Sequence, residues 1–163
     1  MEKKFDFWQE HSIQYLEMAF RTDRRERVAN PDGYGKHTGT CGDSVEIFLT
    51  VGKNKIQAIS YEINGCLNTN ACANTVADLA IGKTIEEAWE ITPEKVVEYL
   101  GTLPSAEIHC AEVAAGAFYL ALANCKEHSV PHDPAHAGGN NEAGSVGLTN
   151  HRIGDGSPQF SNN

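Results

Sequence analysis

The sequence predicts an α+β fold, a small antiparallel β-sheet packed against several α-helices, and three observations carry that reading. Ser44 to Val51 and Ile56 to Ile63 are rich in β-branched and aromatic residues, and the short Gly52-Lys53-Asn54-Lys55 stretch between them has the composition of a hairpin turn. Two longer segments, Leu67 to about Ile81 and about Ala106 to Asn124, repeat apolar residues at helical spacing. Between those helices, Thr84 and Thr92 each begin a helix-capping signal.

In chain order, Phe5 to about Phe20 reads as an amphipathic helix, with Trp8, Tyr15 and Ala19 on one line and Ile13, Leu16 and Phe20 beside it. Arg21, Arg24, Arg25 and Arg27 follow, as solvated charge near the helix end or as a dock for an acidic partner, the solvated reading being preferred. Asn30-Pro31-Asp32-Gly33-Tyr34-Gly35 is dense in turn formers and leads into the loop Gly39-Thr40-Cys41-Gly42-Asp43. The hairpin comes next. Its antiparallel strands return the chain to its starting edge, so Cys41 and Cys66 are expected to be spatial neighbours. Cys66 opens the Leu67 helix, which Gly82 closes. Thr84 with Glu87 has capping-box spacing, and Thr92-Pro93-Glu94 supplies an N-cap, a first-turn proline and an acid. In the last helix, Ile108, Ala111, Ala115, Phe118, Leu122 and Cys125 form one apolar line, and His109 and Cys110 fall in its first turns. Residues 1–127 are expected to form one domain, and 128–163, rich in Pro, Gly, Asn and His, a disordered tail.

A chain of 163 residues can bury a core without disulfides. Its net charge of −9 argues against a nucleic-acid partner, because that affinity rests on Lys and Arg at phosphates. No apolar run is read as approaching the roughly 18 residues that span a bilayer, and the N-terminus lacks a signal-peptide core, so a cytoplasmic location off the membrane is expected. Five cysteines then indicate free thiols or metal ligands.

Cys41 and Asp43 flank one residue and can reach a common centre, and Cys66 and Cys110 sit at helix starts, where the positive helix end stabilises a thiolate. Asp43 or His109 can supply a fourth ligand to iron–sulfur or zinc. Because His109 and Cys110 are consecutive, about 100° apart on a helix, joint binding of one ion is expected to be strained, and they can alternate. Cys72 and Cys125 read as buried small hydrophobes. His128, His132 and His136 recur every four residues, but Pro131 and Pro134 prevent the helix that would align them.

The order Cys41-Gly42-Asp43, hairpin, Gly65-Cys66, helix ending before Gly82-Lys83-Thr84, Leu103-Pro104 and His109-Cys110 resembles the NifU/IscU family of iron–sulfur cluster assembly scaffolds, over about Thr38 to Asn124. The resemblance implies a small antiparallel sheet covered by helices. It also implies assembly of a transient [2Fe–2S] cluster on Cys41, Cys66 and Cys110, with zinc at the same site in some members. Asp43 would keep the cluster labile, and His109 would be a ligand or near-ligand. Sulfur would arrive as persulfide from a cysteine desulfurase, and the cluster would pass to apo-proteins from a monomer or weak homo-oligomer. Three departures mark a divergent, single-domain member. Leu103-Pro104-Ser105-Ala106-Glu107 carries an acid where many members have the lysine of a Leu-Pro-Pro-Val-Lys chaperone segment, which counts against delivery through an Hsp70-type chaperone. Leu67 to Thr75 replaces a run of small residues and serines after Cys66, and the N-terminal region also differs. Other readings of the same residues are a zinc- or cysteine-dependent hydrolase, with Cys110 and His109 or Cys66 and Asp43 as nucleophile and base, and a carrier of metal or persulfide. The hydrolase reading has no accompanying Gly-rich or oxyanion motif.

Overall fold

The computed structural model describes Lys4 and residues 6–125, all within one compact unit, Met1–His128. The expected tail from 128 to 163, with His128, His132 and His136, lies outside the described residues. Among the described residues, three antiparallel strands, β1 (Gly33–Thr38), β2 (Ser44–Gly52) and β3 (Lys55–Asn64), form a sheet in the order β1-β2-β3. Helices α1 (Phe7–Glu10) and α2 (Ile13–Phe20) precede it, and α3 (Leu67–Ala80), α4 (Ile85–Ala88), α5 (Pro93–Leu100), a 3-10 turn (Ser105–Glu107) and α6 (Ile108–Ala123) follow. The α+β class and the covering of the sheet by helices are as expected.

The hairpin turns through Lys53 and Asn54, both at positive φ, the conformation of a two-residue turn whose twist matches its strands. Thr50 pairs with Ala58 but Val51 with Ile56, so Gln57 is an extra residue on β3. That bulge shifts the side-chain alternation by one position. Ile56 therefore shares the core face with Ile59 and Tyr61, while Ala58 is exposed.

Strand β1 was absent from the expected sheet. Its segment reads as turn because its inward positions are glycines: a Cβ on Gly33 or Gly35 would run into the α6 backbone at Ala121 or at Ala117 and Ala121. The helix lies directly on the strand, and alanines 111, 114, 115, 117 and 121 keep its buried faces thin. On length and composition Ser105–Ala123 could cross a membrane, contrary to the expectation that no apolar run is that long, but half of it is buried inside the fold. Near-uniform apolarity is what a core helix packed on several elements requires.

The N-terminal helix is interrupted. Ser12 leaves the helix to cap α2, accepting from the Tyr15 N–H, and its hydroxyl donates to the Leu100 carbonyl. Tyr15, Met18 and Ala19 are buried, whereas Trp8, Ile13 and Phe20 are exposed, so the buried line differs from the expected one. Asn70 and Asn74 of α3 donate to the Ala19, Met18 and Arg21 carbonyls, and Asn70 accepts from the Tyr61 hydroxyl. Three of the four arginines meet this chain's own carboxylates: Arg21 and Arg24 pair with Asp78, and Arg27, itself more than half exposed, with Glu46 and Glu62. Asp78 is partly buried, which makes its pairing more than a surface contact. Thr84 forms the predicted capping box with Glu87, and Thr92 caps α5.

Because α6 rests on glycine backbone, Gly35→Ala is expected to force the helix off β1 and to lower the unfolding free energy in urea by roughly 1–3 kcal/mol. A loss below about 0.5 kcal/mol, the range of neutral surface changes, would contradict this packing.

Candidate metal centre

Three element ends meet at one edge of the sheet. Ser44 at the start of β2 pairs with Asn64 at the end of β3, and Thr38 at the end of β1 pairs with Ser44. The β1–β2 loop is closed by Gly39 N–H to Asp43 O, 2.9 Å, and Gly42 N–H to Gly39 O, 3.0 Å, with Gly42 at φ 91°. Only a residue without Cβ turns there without strain. This loop carries Cys41 and Asp43. Cys66 is the N-cap of α3, and the start of α6 brings His109 and Cys110.

Asp43 Oδ2, Cys66 Sγ and Cys110 Sγ belong to one group whose donor atoms all lie within 4.8 Å of one another. The two sulfurs are 4.0 Å apart. Thr69, fully buried, stands among them: its hydroxyl donates to Asp43 Oδ2 at 2.6 Å and lies 3.5 Å from Cys66 Sγ and 3.6 Å from Cys110 Sγ. The Cys66 N–H also points at Asp43 Oδ2, 3.4 Å away, so the carboxylate is held from two sides. Gly65 leaves room for it, since a Cβ there would meet Asp43 Oδ2 at 2.8 Å and Thr69 Oγ1 at 2.9 Å.

The last helix contributes a second group, Glu107, His109 and Cys110, which shares Cys110 with the first. His109 Nε2 reaches within 3.6 Å of Cys110 Sγ. The imidazole is long enough to bring its outer nitrogen beside the sulfur of the next residue. Glu107 Oε2 lies 3.6 Å from the same sulfur. Cys41 lies on the exposed loop and belongs to neither group.

The thiols differ in accessibility. Cys41 and Cys66 are exposed, Cys110 is buried, and all five cysteines are free. Burial pushes the Cys110 thiol up to about 12, an effect that the Thr69 hydrogen bond opposes and the Cys66 thiol reinforces. This reverses the expectation of a thiolate stabilised by the start of its helix, because desolvation of the charged form outweighs the helix dipole. Cys72 is fully buried and its thiol is also raised by desolvation, and Cys125 is partly buried with a raised thiol, as expected of packing residues.

Sequence reasoning missed Thr69 and Glu107. Both carried a signal: each is three residues from a candidate cysteine, Thr69 after Cys66 and Glu107 before Cys110, and residues three apart on a helix share a face.

Comparison with known proteins adds to this geometry. Residues 25–132 match the model of the family described as NifU-like N terminal domain. The iron-sulfur cluster assembly scaffold protein IscU 1 of Archaeoglobus fulgidus is 37% identical over 97 residues, 59% of this chain and 63% of that protein, and IscU 2 of the same organism matches equally. This chain thus spans less than two thirds of those relatives' length. The IscU scaffold protein of Buchnera aphidicola is 28% identical over 127 residues, 69% of this chain and 99% of that one. Among solved structures, a NifU-like protein (N-terminal) from Brucella abortus superposes with a TM-score of 0.59 at 17% identity, over 72% of this chain and 95% of that one. A putative scaffold protein for the SUF system from Fervidobacterium islandicum gives 0.58 at 16%, over 72% and 99%. These two likenesses support the fold.

In metal-free protein at ~pH 8, iodoacetamide is expected to modify Cys41 and Cys66 and to leave Cys72 and Cys110 unmodified by peptide mass spectrometry, because only the thiolate reacts. The thiolate at Cys110 grows only as pH approaches about 12. Modification of Cys110 as fast as Cys66 would contradict this placement.

Proposed function

The chain belongs to the NifU-like N-terminal domain family, and on that basis we propose that it is a non-catalytic scaffold on which an iron–sulfur cluster is assembled and then passed on. The observation that carries the reading is the pair of thiols of Cys66 and Cys110, 4.0 Å apart, with the Asp43 carboxylate within 4.8 Å at a sheet edge. Clustered thiolates are the ligands that iron–sulfur clusters require, and zinc accepts the same donors.

A [2Fe–2S] cluster is the proposed cargo. Cys66 and Cys110 hold it from two fixed helix starts, and Cys41 joins from the loop. Asp43 completes the set with a hard oxygen, a weaker partner than a fourth thiolate for a soft cluster, which favours release. The carboxylate already has a second partner in the Thr69 hydroxyl, to which it can return. His109 is a ligand or near-ligand on the side of Cys110.

The cluster's sulfur would come from a cysteine desulfurase and its recipients would be apo iron–sulfur proteins. Accessibility favours Cys41 or Cys66 for the sulfur-accepting role, since a bulky donor reaches an exposed thiol and not the buried Cys110. The acid at Glu107 disfavours an Hsp70-type chaperone as the delivery partner, and the free thiols suit a reducing compartment such as the cytoplasm.

The test is anaerobic incubation with ferrous iron, cysteine and a desulfurase, followed by visible spectroscopy with iron and sulfide analysis. Sulfide-dependent absorption is expected, and each of Cys41→Ser, Cys66→Ser and Cys110→Ser is expected to lower the yield by about tenfold or more, as loss of a metal's ligand shell does. Asp43→Ala is expected to lengthen the cluster's lifetime severalfold. Stoichiometric zinc that iron cannot replace, without sulfide-dependent absorption, would remove the scaffold role.

A further inference from the structure

Glu107, His109 and Cys110 have a geometry independent of the scaffold role. Glu107 Oε2 and His109 Nε2 each lie 3.6 Å from Cys110 Sγ and 3.8 Å from one another. A four-coordinate ion with metal–sulfur bonds of about 2.3 Å and metal–nitrogen or metal–oxygen bonds of about 2.0–2.1 Å holds neighbouring donors about 3.3–3.6 Å apart. The triangle is therefore close to the face of a tetrahedron around one ion. In the Asp43 group, by contrast, the Thr69 hydroxyl already stands among the donors.

The His109 ring is a second observation pointing to a ligand. Its Nδ1 lies 3.1 Å from the Ala106 carbonyl oxygen, which can only accept, so Nδ1 carries the proton. In the neutral ring the lone pair then sits on Nε2, facing Glu107 and Cys110. An outer hydrogen bond of this kind is what orients metal-bound imidazoles. The competing reading is a simple Glu107–His109 ion pair, and its 3.8 Å separation is too long for a hydrogen bond. Glu107 and His109 are each about one-third exposed, leaving a path from solvent.

We propose that Glu107, His109 and Cys110 bind one divalent transition-metal ion, iron(II) or zinc(II), with Glu107 as a direct ligand. Binding replaces the Cys110 proton, which leaves to solvent, and the ion takes its remaining ligand from water. No sulfide or desulfurase is involved. Because Cys110 also belongs to the Asp43 group, an ion held here is already on a thiolate of the cluster site before sulfur arrives.

The probe is cobalt(II), titrated anaerobically into the full chain and followed by its thiolate-to-metal and ligand-field absorption, with circular dichroism as the folding control. Glu107→Gln keeps the side chain's shape and removes its charge, and is expected to weaken cobalt binding by about tenfold or more with the fold unchanged. Cys66→Ser removes the other group's exposed thiol and is expected to keep the thiolate-to-cobalt band and an affinity within about threefold of the original chain, since it leaves all three proposed ligands in place. Zinc(II) is expected to shift the Nε2 resonance of His109 in nitrogen-detected histidine spectra, leaving Nδ1 protonated. Glu107→Gln binding cobalt as tightly as the original chain, loss of the thiolate band in Cys66→Ser, or an unmoved His109 Nε2 would each overturn the site. A chain that binds cobalt as expected yet forms no cluster with iron and sulfide keeps this site and loses the scaffold role.

Discussion

The pairing of Ser44 with Asn64 is the constraint on which the site depends. In an antiparallel hairpin the residues just before the first strand and just after the second are delivered to one edge. Here those residues are Asp43, with Cys41 two positions earlier, and Gly65-Cys66. A slip of one residue in this register would turn Val45, Ile47 and Leu49 out of the core, so burial of those three side chains holds the candidate site in place. The hydrophobic face of the sheet thus fixes the position of a polar site at its end.

The third side of the site comes from α6, and its position rests on absent side chains. Gly33 and Gly35 allow the helix backbone to lie on β1, and a row of alanines continues the close fit. Cys110 is carried inward by this packing and is buried, while Cys66 and Cys41 stay exposed. The site is thus buried at Cys110, whose thiol is raised by desolvation, and open at Cys41 and Cys66. Thr69 joins the two halves, because its hydroxyl donates to Asp43 and lies against both helix-start sulfurs.

Much of this was legible in the residues. The hairpin, the capping signals at Thr84 and Thr92, and the start of α3 at Cys66 follow from local chemistry and strand pairing, whereas Cys41, expected beside Cys66, stands outside the group that Asp43, Cys66 and Cys110 form. Strand β1 was hidden because glycine at its inward positions is a turn signal locally and a packing requirement only beside α6. The break at Ser12 was hidden because its hydroxyl is satisfied by Leu100, far along the chain. The thiol of Cys110 was misjudged because the helix start is visible in sequence and the degree of burial is not. Thr69 and Glu107 were overlooked although their three-residue spacing to a cysteine marks a shared helix face.

X-ray absorption at the iron edge of the anaerobically reconstituted chain tests the central claim most directly. The account predicts a first shell dominated by sulfur, with iron–iron scattering from a bridged cluster, both diminished in Cys66→Ser and Cys110→Ser. A first shell of oxygen and nitrogen alone, without iron–iron scattering, would contradict it.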